Sequence, residues 1–142
     1  MIYLDTGCFV KLYYPEADSV QVIARIHGQP VCCTPLHELE FTNALQLKIF
    51  FNHATAQQAA AAQGLVKMDL KSGALVAGSG DWPNIFREAT RLAGQHTRTV
   101  GCRSLDILHC ATAKVLGATE FISIDTRQKQ LAVAMGLKLV TV

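Results

Sequence analysis

Apolar and polar positions along the chain follow two periods, and the places where the period changes predict the elements. Met1 to Leu4 is a short apolar run closed by Asp5-Thr6-Gly7, and Cys8 to Tyr14 follows before Pro15, a pattern that predicts strand, capped turn, short helix and stop. After Asp18 or Ser19, the residues Val20, Ile23, Ala24 and His27 recur at helical spacing up to Gly28, and Val31 to Thr34 reads as a second strand. Pro35 opens a long helix carrying Leu36, Leu39, Ala44, Leu45, Ile49 and Phe50, and an alanine-rich helix spans about Ala56 to Lys71. Ala74 to Ala77 is a third short strand, Gly78-Ser79-Gly80-Asp81 a loop, and Pro83 to His96 a helix with Ile85, Ala89, Leu92 and Ala93 on one face. Ser104 is expected to cap a helix over Leu105 to Leu116 that stops at Gly117. Glu120 to Ile124 is then a strand, Thr126 to Met135 a helix with Gly136 past its end, and Leu137 to Val142 a last strand. An order close to βααβααβαααβαβ predicts the α/β class: a parallel sheet covered by helices on both faces and joined by right-handed crossovers. There is no internal repeat or low-complexity linker. At roughly 100 to 200 residues per domain, 142 residues make a single domain over 1–142.

Composition narrows the class further. Half the residues are apolar, 17% are charged, and only 10 Gly and 4 Pro are present, which excludes disordered, collagen-like and disulfide-stapled chains. A net charge of +2 is too small for tight nonspecific binding to nucleic acid and leaves only a local basic patch open. The five cysteines form an odd set without a CxxC pair, and the adjacent Cys32 and Cys33 match neither a zinc knuckle nor a secreted framework, so reduced thiols in a cytoplasmic protein are expected. Asp5 falls where a signal peptide needs its apolar run, and no stretch approaches the roughly 18 apolar residues of a membrane span.

The candidate chemistry is acidic. Asp5, Glu40, Asp106 and Asp125 stand in strongly apolar surroundings, while the other acids mostly lie in polar segments. In a parallel α/β sheet the carboxyl end of each strand and the amino end of each following helix share one edge. Asp5 and Asp125 directly follow strands, Asp106 lies in a first helical turn, and Glu40 lies within about two turns of the second strand, so all four converge on that edge. Taken singly, each Asp is explained as an N-cap or as a first-turn acid complementing the helix dipole. Glu40 sits past the capping zone on an otherwise apolar helix. Hard oxygen ligands without paired His or Cys suit Mg²⁺ or Mn²⁺ rather than zinc. Two such ions could orient a water and stabilise the leaving oxygen of a phosphodiester. Crowding four carboxylates without metal is expected to raise at least one pKa by mutual repulsion.

A family resemblance adds to this reading. Tyr3-Leu4-Asp5-Thr6 with Val10-Lys11-Leu12-Tyr13, Glu40 ahead of Asn43-Ala44-Leu45, Ser104-Leu105-Asp106-Ile107-Leu108-His109-Cys110-Ala111-Thr112-Ala113, Ile122-Ser123-Ile124-Asp125 and Ala134-Met135-Gly136-Leu137 together resemble the PIN domain. Within it the chain is most similar to the VapC toxins of type II toxin-antitoxin pairs. The likeness spans nearly the whole chain. It implies a three-layer domain with a central sheet of about five parallel strands, and a Mg²⁺-dependent endoribonuclease whose catalytic and metal-binding acids are Asp5, Glu40, Asp106 and Asp125. Asp125 is the acid most often varied in such enzymes. Glu38 rivals Glu40, but Glu40 stands five residues before Leu45, the family's usual spacing. The resemblance also implies RNA as substrate, an antitoxin partner and a homodimer.

Other residues carry two readings each. The Thr6 hydroxyl could hold a metal-bound water or phosphate, or cap a helix. Ser123, two residues before Asp125, is read first as structural. His37 and His109 each stand three residues from a predicted ligand and are taken as packing residues, outside the metal set. Arg87, Arg91 and Arg98 share a helical face, and Arg103 adds charge before Ser104. The face is solvated by default, but beside the acids Arg87, Arg91 and Arg103 would hold RNA phosphates. Gly78-Ser79-Gly80 is too short for a phosphate loop and reads as a hinge or turn. Phe41, Leu45, Leu47, Ile49, Phe50 and Phe51 cover more of their helix than one core face needs, which favours an interface. Among rival functions, a haloacid dehalogenase-type phosphatase needs a second Asp at position 7, where Gly stands, and a receiver domain needs an acidic pair that is absent. A catalytically inactive PIN-like module that binds RNA or a partner is the remaining alternative. Four unused carboxylates in one pocket would only repel, which argues against it.

Overall fold

The computed structural model describes residues 1–140 and 142. Five parallel strands form one sheet: β1 (Ile2–Leu4), β2 (Val31–Cys33), β3 (Leu75–Ala77), β4 (Glu120–Ile122) and β5 (Leu139–Val140), in the spatial order β3-β2-β1-β4-β5. Seven helices connect them: α1 (Thr6–Tyr13), α2 (Ser19–Ile26), α3 (Pro35–Phe50), α4 (Ala56–Ser72), α5 (Trp82–Val100), α6 (Ser104–Val115) and α7 (Thr126–Ala134). Two helices, not three, therefore lie between β3 and β4.

The strands are apolar on both faces because helices cover both. Ile2, Leu4, Val31, Cys33 and Ile122 pack with residues of α1 to α4, whereas Tyr3, Cys32 and Phe121 point the other way, among residues of α5 to α7. The two-residue period thus divides the interior into two cores. From β1 the chain winds outward to β2 and β3, then crosses back to β4 on the other side of β1, in register Tyr3↔Phe121 and Leu4↔Ile122. A crevice opens at such a reversal, outside the carboxyl ends of β1 and β4.

Several boundaries differ from the sequence expectation. α1 begins at Thr6, two residues early, because the Asp5 carboxylate accepts the Cys8 N–H at 2.7 Å and is itself the cap. Ser104 does not cap α6. Arg103 holds the cap position, and its backbone N–H donates at 3.2 Å to Asp106. α5 runs one turn past His96 to Val100, where Gly101 ends it at φ 73°. β4 stops at Ile122 because the Asp125 N–H donates to the Ser123 hydroxyl and turns the chain. β5 starts only at Leu139, since the Leu137 N–H closes the end of α7 on Ala132. The expected continuation of β5 through Thr141 lies outside the described residues.

Candidate active site

The β1–β4 crevice is a polar cleft of about 220 Å³ lined by Asp5, Thr6, Gly7, Glu40, Arg103, Asp106, His109, Ile124, Asp125 and Gln128. All four sequence-selected acids are there, each delivered by a different element. Asp5 ends β1 through its N–H to Ile122 O, Asp125 caps α7 by accepting the Gln128 N–H at 2.9 Å, Asp106 lies in the first turn of α6, and Glu40 projects from the second turn of α3. Thr6 and Arg103 join them. Arg87 and Arg91 do not line the cleft, and the Arg91 guanidinium is clasped by Glu88, which also holds Lys114.

One oxygen of each acid other than Asp5 is committed to the protein. Glu40 Oε2 accepts from the Thr6 hydroxyl at 2.6 Å and from His109 Nε2 at 2.5 Å, Asp106 Oδ2 accepts from the Arg103 backbone N–H and Nε, and Asp125 Oδ1 holds its cap bond. Glu40 Oε1, Asp106 Oδ1 and Asp125 Oδ2 have no donor among the described residues. No buried side-chain oxygen or nitrogen there lacks a partner, so these three oxygens are open to the cleft. Asp5 is deeper. Its Oδ1 holds the α1 cap and its Oδ2 accepts from Ser123, whose single hydroxyl proton is shared with Gln128 Oε1 at 2.9 Å.

The environments separate the acids. Burial pushes Asp5 above the usual carboxylate range, against the Ser123 and Cys8 bonds that pull it down. Burial also pulls Glu40 upward, but the bonds from His109 and Thr6 outweigh it and hold this carboxyl below its ordinary value. Repulsion among the four is therefore not what lifts Asp5. Desolvation is.

The two histidines part company. His37 donates Nε2–H to Leu4 O at 2.8 Å and accepts the Thr34 hydroxyl and N–H on Nδ1, and burial lowers it to about 3, so it is a neutral brace beneath Asp5. His109, taken as packing from sequence, reaches the cleft. Ser123 is a buried bridge to Asp5, and Gln128, not selected from sequence, links that bridge to Asp106 O at 3.3 Å. Its signal was Asp125-Thr126-Arg127-Gln128, the spacing of an N-cap and its third helical residue.

No three His, Cys, Asp or Glu side chains among the described residues converge into a ready cage for a metal ion. The donor set still fits Mg²⁺ or Mn²⁺, because Mg²⁺ keeps several waters and is held by only one or two carboxylates. Three accessible carboxylate oxygens with no competing donor meet that need. The Arg103 guanidinium beside Asp106 is exposed and can swing away.

Fold and site together define an α/β domain with an acidic crevice at its strand reversal. The chain belongs to the PIN domain family, whose model matches residues 2–134; PIN domains are typically nucleases that use divalent metals. FitAcB from Neisseria gonorrhoeae has the same fold, with a TM-score of 0.61 at 15% identity over 98% of this chain and 96% of that one. No curated protein matches. Among the described residues, no helix is long and apolar enough to cross a membrane.

Proposed function

We propose that the protein is a Mg²⁺-dependent endoribonuclease, the cytoplasmic toxin of a VapC-type toxin-antitoxin pair. The observation that carries this reading is the set of free carboxylate oxygens of Glu40, Asp106 and Asp125 around one cleft, with Asp5 at its floor. A divalent ion held there would activate water and neutralise charge on a phosphodiester. Glu40 stays ionised under the hydrogen bonds of His109 and Thr6, Asp106 is aligned by the backbone of Arg103, and the exposed Arg103 guanidinium can pass from Asp106 to an RNA phosphate as cation replaces it. Cleavage of RNA that needs Mg²⁺ and stops on chelation tests the reading. Asp5→Asn should lower that cleavage by at least a hundredfold while the protein stays folded, because the amide keeps the α1 cap and can donate to Ser123, which then donates to Gln128. Near-normal cleavage by folded Asp5→Asn would sink the proposal.

The partner reading rests on the resemblance to VapC toxins and on a groove of about 490 Å³ that shares Thr6, Gly7 and Glu40 with the cleft and is walled by Val10, Leu39, Ala44, Leu47 and Leu105. An antitoxin segment with an apolar face and an arginine tip suits it, the guanidinium meeting carboxylates that otherwise hold metal. Phe50 and Phe51, both exposed, extend the same helix end and suit a homodimer contact. Light scattering at tens of micromolar should give twice the chain mass, and a monomer there would remove the dimer from the proposal.

A further inference from the structure

Short contacts link Tyr3, His109 and Glu40 in one chain. His109 Nε2 lies 2.5 Å from Glu40 Oε2, and two bare acceptors do not approach so closely, so one of the pair must carry hydrogen. Thr6 Oγ1 donates to the same Glu40 oxygen at 2.6 Å and also lies 3.0 Å from His109 Nε2, and the Glu40 carboxyl is held below its ordinary value, so its oxygen is the acceptor at this corner. His109 Nδ1, on the far side of the ring, lies 2.9 Å from the hydroxyl of Tyr3, a residue fully enclosed on β1. Burial raises the Tyr3 phenol well above its ordinary value, so the hydroxyl keeps its proton and is able to donate it to Nδ1. The imidazole is held from both ends.

We propose that His109, with its tautomer set by Tyr3, is a positioning residue that clamps Glu40 Oε2 and thereby turns Glu40 Oε1 into the cleft as a cation ligand. The claim rests on the nuclease reading for what the cleft holds, but not for the clamp itself. A rotatable glutamate on a helix has three side-chain torsions to lose before it can ligate a metal. A buried ring donor pinned by a phenol removes that freedom in advance, as outer-shell partners of metal ligands do elsewhere. His37 makes the contrast: it lies 5.2 Å from His109 ring to ring, yet all its hydrogen bonds go to Leu4 and Thr34, so it orders the scaffold and touches no carboxylate.

The test uses the full chain with Mn²⁺ as probe, calorimetric titration for affinity, and ¹⁵N NMR of the imidazole in metal-free protein. In wild type, His109 should carry its proton on Nε2, and a bare Nε2 overturns the clamp regardless of any nuclease activity. His109→Asn, too short to reach Glu40, should weaken Mn²⁺ binding about 10- to 100-fold. His109→Gln, whose amide can reach the place of Nε2, should restore most of that loss, a rescue that a merely packing histidine would not show. Tyr3→Phe changes no volume of consequence and keeps the fold testable if His109→Asn does not fold. It should move proton density from Nε2 to Nδ1 and weaken Mn²⁺ binding less than His109→Asn does. Wild-type affinity in folded His109→Asn or Tyr3→Phe overturns the proposal. If wild type binds no Mn²⁺ and cleaves no RNA, the nuclease reading falls, and the position of the His109 proton still decides the clamp.

Discussion

Ser123 shows how much one small side chain can organise. Its oxygen takes the Asp125 N–H, and its proton faces both Asp5 and Gln128, so three segments meet on a fully buried hydroxyl. Ser123→Ala would leave Asp5 Oδ2 and Gln128 Oε1 short of a donor, and an unsatisfied buried acceptor costs about 1–3 kcal/mol. Urea unfolding should show a loss in that range, and a loss below about 0.5 kcal/mol would mean that water replaces the hydroxyl. Residues such as this were hard to read from sequence for a physical reason. A serine, a histidine or a glutamine is common both on surfaces and in satisfied interiors, and only the partner across the fold distinguishes the two. Asp5, Glu40, Asp106 and Asp125 were legible as a group, because the carboxyl edge of a parallel sheet brings all four together even though each Asp alone has a capping explanation. Arg87 and Arg91 point the other way: a basic face on a helix says nothing of which edge it borders, and here Glu88 holds Arg91.

At the scale of elements, Gly78 decides how β3 leaves the sheet. Its N–H donates to Cys33 O at 2.6 Å, and a Cβ there would stand 2.8 Å from both Cys32 Sγ and Thr34 Cγ2. Both neighbours are short side chains at the end of β2, so neither can yield without moving that strand. Gly78→Ala is therefore expected to destabilise by about 1–3 kcal/mol, as overpacked sites do, and a melting curve within 1 °C of wild type would refute the close approach. Gly78-Ser79-Gly80 is thus a tight exit turn rather than a hinge. The twelve elements were legible from their periods and stop residues, but the expected order carried one helix too many between β3 and β4. Their ends were less so, since the ends depend on side chains such as Asp5 and Asp106 whose capping partners lie on backbone that the period does not reveal. α5 is the clearest case: Thr97, Arg98 and Thr99 carry no apolar signal, and only Val100 in that last turn packs against the core.

For the whole molecule, the cleft ties stability to pH and, under the proposed function, to metal. Asp5 is raised by burial in the folded state and has a pKa of about 4 when unfolded, so above pH 4 the folded protein binds more protons than the unfolded chain. Metal-free stability from this residue is therefore greatest at low pH and is lost as pH rises through the folded pKa of Asp5. Glu40 is lowered in the folded state, so its contribution is present above its unfolded pKa and is lost only as pH falls below that range. Between pH 4.5 and 7.5 the slope from these two acids comes mainly from Asp5, and it is downward. If the cleft holds Mg²⁺ as the proposed function requires, the ion would favour the folded, ionised form and displace a proton from Asp5, so its stabilising effect should grow with pH. At a concentration tenfold above Kd it adds about 1.4 kcal/mol, a rise of about 4–6 °C in Tm for a chain of this size. Thermal melts with chelator and with Mg²⁺ at pH 4.5 and 7.5 should show the larger gain at pH 7.5 in wild type. In Asp5→Asn the metal-free melt should change less with pH, and the gain from Mg²⁺ should fall at both. An equal gain in the two proteins would show that the buried carboxylate at the floor of the cleft takes no part in holding the ion.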